Sequence, residues 1–217
     1  MNKLLLFLIF NLGIVNAVEW KLVKEKNDIV IYSVQKPGYK LKHFKAQITL
    51  HKDTDTILTA LQDTKACPLW VYNCLSNDMV DMIDFRKRVY HTQIYSPLWF
   101  KDRDFYIQSN VVYNPTEKLF KVSFVSQPEY RQEIKDTIRI KQVEMNWSLK
   151  SISDNETLVT YQVYINPKLP IKSFNHMIIK MSIYQTMLGL EKIVEKPIYA
   201  DTKYSKSELE MLTQPDQ

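Results

Sequence analysis

An α+β domain, in which one long C-terminal helix covers a curved antiparallel sheet, is the fold class the sequence predicts. Three observations predict it. Short runs alternate apolar with polar residues, one after another, through most of the chain. The alternation stops at "NPKLPIKS", where Pro167 and Pro170 break a strand ladder. Beyond that stop, residues 173–195 carry an apolar side at spacings of three and four, closed by Pro197. Strands segregated from a final helix indicate α+β rather than alternating α/β architecture.

The first 17 residues stand apart from this pattern. Lys3, the run "LLLFLIF" and the small residues Val15 and Ala17 describe a secretory signal peptide cleaved after Ala17. The run falls short of the roughly 20 apolar residues of a spanning helix, and no cysteine follows the cut to carry a lipid. The expected organisation is therefore a leader at 1–17, one domain at 18–200 and a polar tail at 201–217. A periplasmic or secreted location follows from it.

Within the domain, "DIVIYSVQ" is a β-branched strand that ends near the turn signal Pro37–Gly38. "HFKAQITL" alternates Phe44, Ala46, Ile48 and Leu50 with polar neighbours. Asp53 is placed to cap a short helix carrying Ile57, Leu58 and Leu61. "MVDMIDFRKRVYHTQIY" reads as a hairpin, and "DFYIQSNVVYN" and "KLFKVSFVS" as strands flanking the turn at Asn114–Pro115. "TIRIKQVEMNWSLKSI" reads as one long strand, joined by the turn "SDNE" to "TLVTYQVYI". In the final helix Phe174, Met177, Ile178, Met181, Tyr184, Leu188 and Ile193 share the apolar side. "SKSELEML" in the tail has the composition of a turn or two of helix.

Composition removes several function classes. Beyond the leader only Gly38 and Gly189 remain, so no dinucleotide fingerprint, phosphate loop or nucleophile elbow is present. The formal net charge of +5, one unit of it from Lys3, is too mild for nucleic acid and compatible with an anionic membrane surface. His43, His51, His91 and His176 are scattered, with no metal-ligand spacing and no expected cofactor. His91 has two readings, a pocket contact or a satisfied strand histidine. Cys67 and Cys74, in "CPLWVYNC", either close a small disulfide loop in an oxidising compartment or remain two buried thiols. The sequons at Asn146 and Asn155 matter only in a eukaryotic secretory pathway.

In "SPLWFKDRDFYIQ" four charges are crowded between Trp99 and Phe105. Pro97, Trp99 and Phe100 read as a corner, and Arg103 and Asp104 as a structural clamp that holds neighbouring loops by charged hydrogen bonds. Nothing marks Asp102 or Asp104 as a general base, and no catalytic residue is assigned.

The order of landmarks resembles the StAR-related lipid transfer (START) domain family, in an exported bacterial form. The landmarks are Trp20, "IVIY" at 29–32, Trp70, "RDF" at 103–105, "IR" at 138–139, "W-x-L" at 147–149, the proline corner and the last helix. Together they span 18–200. The resemblance implies a helix-grip fold, with the sheet wrapped around the C-terminal helix and an internal hydrophobic cavity for one lipid-like molecule. Two departures stand out. "NPKLP" lacks the glycines usual at that corner, and Ser109 stands where some sterol-binding members bury an arginine, so no polar anchor or sterol is assigned.

On that resemblance the sheet contributes Phe120, Val122 and Phe124, then Val143, Met145 and Trp147, then Tyr161 and Val163, to the ligand-binding surface. The helix contributes Met177, Met181, Tyr184 and Leu188. The expected function is a monomeric exported carrier of a phospholipid, fatty acyl or sterol-like ligand that touches membranes transiently. The alternatives are a helix-grip cyclase or hydrolase acting on an apolar substrate, and a sensor that uses its ligand for stability alone.

Overall fold

The computed structural model describes residues 19–96 and 100–213. The expected leader, and Pro97 and Trp99 of the proline–aromatic corner, lie outside the described residues.

Among the described residues nine strands form one antiparallel path and a short tenth joins it from the side. In chain order they are β1 (Lys21–Lys26), β2 (Ile29–Val34), β3 (His43–Leu50), β4 (Cys74–Met82) and β5 (Lys87–Ile94). β6 (Arg103–Asn114), β7 (Leu119–Ser126), β8 (Ile138–Arg139), β9 (Val143–Ser153) and β10 (Glu156–Ile165) follow. The spatial order is β1-β2-β3-β10-β9-β7-β6-β5-β4, and β8 runs parallel to the start of β6. Four α-helices are present among the described residues: α1 (Thr54–Gln62), α2 (Cys67–Trp70), α3 (Lys172–Ile193) and α4 (Lys206–Thr213).

Local chemistry accounts for most boundaries. The β1–β2 hairpin turns at Asn27 and Asp28, both at positive φ (52° and 56°), the geometry a two-residue loop needs to match strand twist. Asp53 caps α1 as expected, its Oδ1 accepting the N–H groups of Asp55 and Thr56, each at 3.0 Å. In β9 and β10 the buried residues recur at every second position. Thus Val159, Tyr161 and Val163 pair with Leu149, Trp147 and Met145 across the sheet.

The stretch read as one strand from Thr137 is two. Ile138 and Ile140 donate their N–H groups to the carbonyls of Asp102 and Asp104, each at 2.8 Å, so β8 belongs to β6. The chain then shifts before β9 pairs with β10.

α3 packs on the inner face, and Ile179, Ile183, Met187 and Leu190 join the main core. Its start is fixed by Asn175, whose amide donates to the carbonyls of Leu169 and Ile171, each at 2.9 Å, closing the proline corner without glycine. Gly189 allows α2 to touch α3: a Cβ there would lie 2.0 Å from the Trp70 carbonyl oxygen. The expected polar tail contributes more than polarity. α4 folds back so that Leu212 is fully buried and Tyr204 packs near Phe120.

Candidate functional site

Alternation along β5 and β6 sends successive side chains to opposite faces of the sheet, and the two faces differ in kind. On the outer face Asp104 and Arg139 are both essentially inaccessible to solvent, at 0% and 1%. Arg139 donates through Nε and Nη2 to the Asp104 carboxylate at 2.8–3.1 Å. Its remaining donors reach the carbonyls of Pro128, Arg131 and Gln132 at 2.9–3.2 Å. His91 Nε2 lies 3.0 Å from the same carboxylate and its ring stacks on Tyr106, over which the Arg139 guanidinium also sits. Burial alone would raise the Asp104 pKa, but the hydrogen bonds from Arg139 and His91 outweigh it and hold the pKa below the ordinary carboxylate value.

The neighbouring charges do related work. Arg103 Nε donates to the Pro167 carbonyl at 3.2 Å and Nη1 to that of Lys101, tying β6 to the proline corner. Asp102 accepts the Ser96 N–H at 2.8 Å and closes the base of the β5–β6 loop. The crowded charges between Trp99 and Phe105 are thus engaged in holding chain segments together. The partner of Asp104, Arg139, lies 35 residues downstream and had no signature beyond the "IR" landmark.

The inner face is apolar and incompletely filled. An inner cavity of about 110 Å³ is bounded by Tyr90 on β5, Phe105, Ile107 and Ser109 on β6, and Trp70 on α2. Five of the sequence-chosen residues, Val122, Phe124, Met145, Trp147 and Tyr161, line the same space. An outer cavity of about 110 Å³ lies between the sheet and the first half of α3, bounded by Ile94, Phe100, Ile140, Phe174, Ile178 and Ser182. Phe105 lines both cavities.

The wall between them is the loop closed by the Cys67–Cys74 disulfide. Cys67, Trp70 and Val71 face the inner cavity, whereas Tyr72 and Asn73 face the outer. The Tyr72 N–H donates to Thr186 Oγ1 at 3.2 Å, docking the loop on α3.

The other sequence-chosen residues lie elsewhere. Phe120 is buried beyond the inner cavity against Tyr113. Val143 fills a satellite core with Tyr90, Phe105 and Ile140, and Val163 belongs to the main core. On α3, Tyr184 is buried beneath the Lys24 ammonium, 3.3 Å from its ring centroid, while Leu188 packs on the core and Met181 is half-buried. Met177 is 51% exposed, on a flank it shares with His176 and Lys42. The helix stripe that meets the outer cavity is Phe174, Ile178 and Ser182, one residue round from Met177 and Met181. Phe174 and Ile178 are as apolar as Met177 and Met181, so spacing alone does not choose between them.

The polar groups lining the inner cavity are all neutral, and two of them are weakly engaged. The Tyr161 hydroxyl reaches only Met145 Sδ, at 3.2 Å, and burial pushes its pKa far up, so it is a neutral donor. Trp70 Nε1 is buried without a partner among the described residues. Thr92 is bonded to Asn77 at 2.8 Å. The arrangement can exclude water from an apolar molecule and offer a few neutral hydrogen bonds. The His91–Asp104 pair faces away from it. Among the described residues no group of acidic, histidine and cysteine side chains could hold a metal, and no helix is long and apolar enough to cross a membrane.

A sheet gripping α3 around internal apolar space is the fold of a StAR-related lipid transfer domain. The bacterial StAR-related lipid transfer protein from Xanthomonas axonopodis (fragment 25–204) superposes with a TM-score of 0.74 at 20% identity, covering 82% of this chain and 99% of that one. Human StAR-related lipid transfer protein 5 superposes at 0.73 with 11% identity, over 81% and 86% of the two chains. In sequence, an uncharacterized protein of Pseudomonas aeruginosa is 26% identical over 186 residues, 83% of this chain and 89% of that protein. No family model matches the chain.

Proposed function

We propose that this chain is an exported, monomeric lipid-binding protein that carries one hydrophobic ligand in the space between the sheet and α3. The observation that carries this reading is the pair of apolar cavities facing each other across Phe105. Each is well below the roughly 300–1,000 Å³ of a drug-sized ligand site. A lipid chain is accommodated when Phe105 and the disulfide-closed loop shift and the two spaces merge. Each buried CH₂ then contributes about 0.8 kcal/mol.

The outer cavity supplies the entrance. Tyr95 on its lining is 48% exposed, and Ile171, between its lining residues Leu169 and Phe174 in the chain, is 61% exposed; Lys101, Lys168 and Lys172, near lining residues in sequence, are exposed as well. Exposed apolar side chains and exposed lysines on the same chain segments suit transient contact with an anionic membrane surface. The Cys67–Cys74 disulfide fits an oxidising compartment, as expected of a chain exported by residues 1–17. The carrier reading is favoured over an enzyme on the same scaffold because the His91–Asp104 pair is locked on the face opposite the cavities.

Native mass spectrometry of the protein from its own exported fraction, with extraction of what is bound, tests the proposal. A stoichiometric lipid is expected. Protein that stays empty even after incubation with mixed lipid vesicles would sink it.

A further inference from the structure

Two spaces meet at the end of α1. Outside lies a cleft of about 470 Å³ between α1, the β4–β5 turn and the segment after α3. Inside lies the inner cavity, and Gln62 lines both. The Gln62 Oε1 accepts from Arg88 Nη1 and from the Tyr204 hydroxyl, each at 3.3 Å, so one side chain on two long hydrogen bonds divides them.

Arg88 is the unbalanced group at this junction. It continues the row of Tyr90 and Thr92, which line the inner cavity, and it pairs across the sheet with Ser109, which lines it too. It is half-buried, its Nε is buried without an acceptor, and no carboxylate pairs with it among the described residues. The other charges of the cleft are engaged. Lys203 pairs with Asp53 at 2.9 Å, Asp63 accepts from the Tyr199 hydroxyl at 2.9 Å, and Glu208 accepts from Ser205 at 2.7 Å. Withdrawing a guanidinium from water without a counter-ion is costly, and its planar Nε–Nη edge matches a carboxylate.

We propose that the Gln62–Arg88–Tyr204 junction is the head-group subsite for a single-chain amphiphile with a carboxylate, of the fatty-acid class. The carboxylate takes the Nε–H and Nη–H of Arg88 as Gln62 turns aside, and the Tyr204 hydroxyl is a third donor. The chain then runs past Ser109 toward Phe105 and the outer cavity. From Ser109 to Arg103 is roughly 20 Å of strand, room for a long chain laid lengthwise. Asp63 and Glu208 on the cleft wall oppose a doubly charged phosphate more than a singly charged carboxylate. This inference rests on the hydrophobic-ligand reading and adds the charge and direction of the ligand.

The test titrates the full chain with hexadecanoate and with methyl hexadecanoate, followed by intrinsic tryptophan fluorescence at neutral pH. The wild type is expected to bind the acid at least tenfold more tightly than the ester. Arg88→Gln is expected to erase that preference while keeping ester affinity, and Arg88→Lys to keep part of it; thermal unfolding verifies that each variant is folded. Equal affinities in the wild type, or an acid preference intact in Arg88→Gln, would overturn the subsite and leave the hydrophobic-ligand reading standing. Failure of both compounds to bind, together with an empty protein by mass spectrometry, would overturn both.

Discussion

The outer and inner faces of β5 and β6 are built from alternate residues of the same strands, yet they follow opposite rules. Outside, Asp104, Arg139 and His91 form a network in which every guanidinium N–H has an acceptor. Inside, Tyr161 and Trp70 hold donors with a poor partner or none, around space that no side chain fills. A saturated polar network stabilises one geometry and has nothing left to offer a ligand. A face with unfilled volume and idle donors gives up stability and keeps capacity to bind. The difference assigns roles: losing a polar partner is expected to cost most on the outer face, and ligand binding is expected to depend on the inner one.

The largest expected effect breaks the outer face. Arg139→Met leaves Asp104 buried and short of its main partner, and about 3–5 kcal/mol of stability is expected to be lost in urea unfolding. Arg139→Met combined with Asp104→Leu is expected to cost clearly less than the two single losses added together, because neither charge is then stranded. Additive losses would show that the pair is not coupled as the geometry requires.

The sequence revealed the inner face better than the outer. Strands with one apolar side, such as β3, β9 and β10, announce themselves by alternation, and Asp53 announces the start of α1. β1, "KLVKEK", did not, because an edge strand that is mostly exposed carries no apolar period. The clamp was half legible. "KDRD" marked charges that needed partners, but the pairing of Asp104 with Arg139 depends on β8 lying alongside β6, a long-range contact that leaves no local period. The rest of the inner cavity could have been found from Phe105, Ile107 and Ser109, which alternate within "DFYIQS". The choice of α3 stripe could not, since Met177 and Ile178 are equally apolar and only the packed sheet decides which turns inward.

A smaller effect tests the junction between α2 and α3. Gly189→Ala places a methyl against the Trp70 carbonyl, which is backbone and yields little. A loss of about 1–3 kcal/mol is expected, with a change in tryptophan fluorescence because Trp70 stands on the cavity wall. A variant as stable as wild type, with unchanged fluorescence, would mean that the helices separate freely.

Filling the inner face is expected to show the reverse of Arg139→Met. Val122→Phe puts extra bulk into the inner cavity, and stability is expected to change by less than about 1.5 kcal/mol because open volume receives it. Lipid binding is expected to fall at least tenfold by titration. If binding survives at wild-type strength, the ligand does not use the inner cavity.

The smallest effect separates the clamp from α3 by pH. His176 on α3 accepts the Lys42 N–H through Nε2 at 3.1 Å, a bond that only the neutral ring makes. Burial, then Lys42 and Lys172, depress its pKa below the ordinary 6.5, and burial and Lys36 depress that of His43 on β3. The unfolded chain therefore takes up protons first as pH falls below about 6.5, and stability declines from there. Asp104 has a lowered carboxylate pKa, so the clamp keeps its contribution above the unfolded value of 3.8 and loses it only as pH falls through the folded one. Hydrogen exchange is expected to show the N-terminal half of α3 losing protection between pH 7 and 5.5, while the start of β6 and β8 stays protected until below about pH 4. His176→Gln preserves an acceptor for Lys42 without titrating there, so it is expected to weaken the early step and leave the late one in place. Simultaneous loss of protection in both regions would show that clamp and helix unfold as one unit, and that the clamp does not hold β6 and β8 independently of the packed helix.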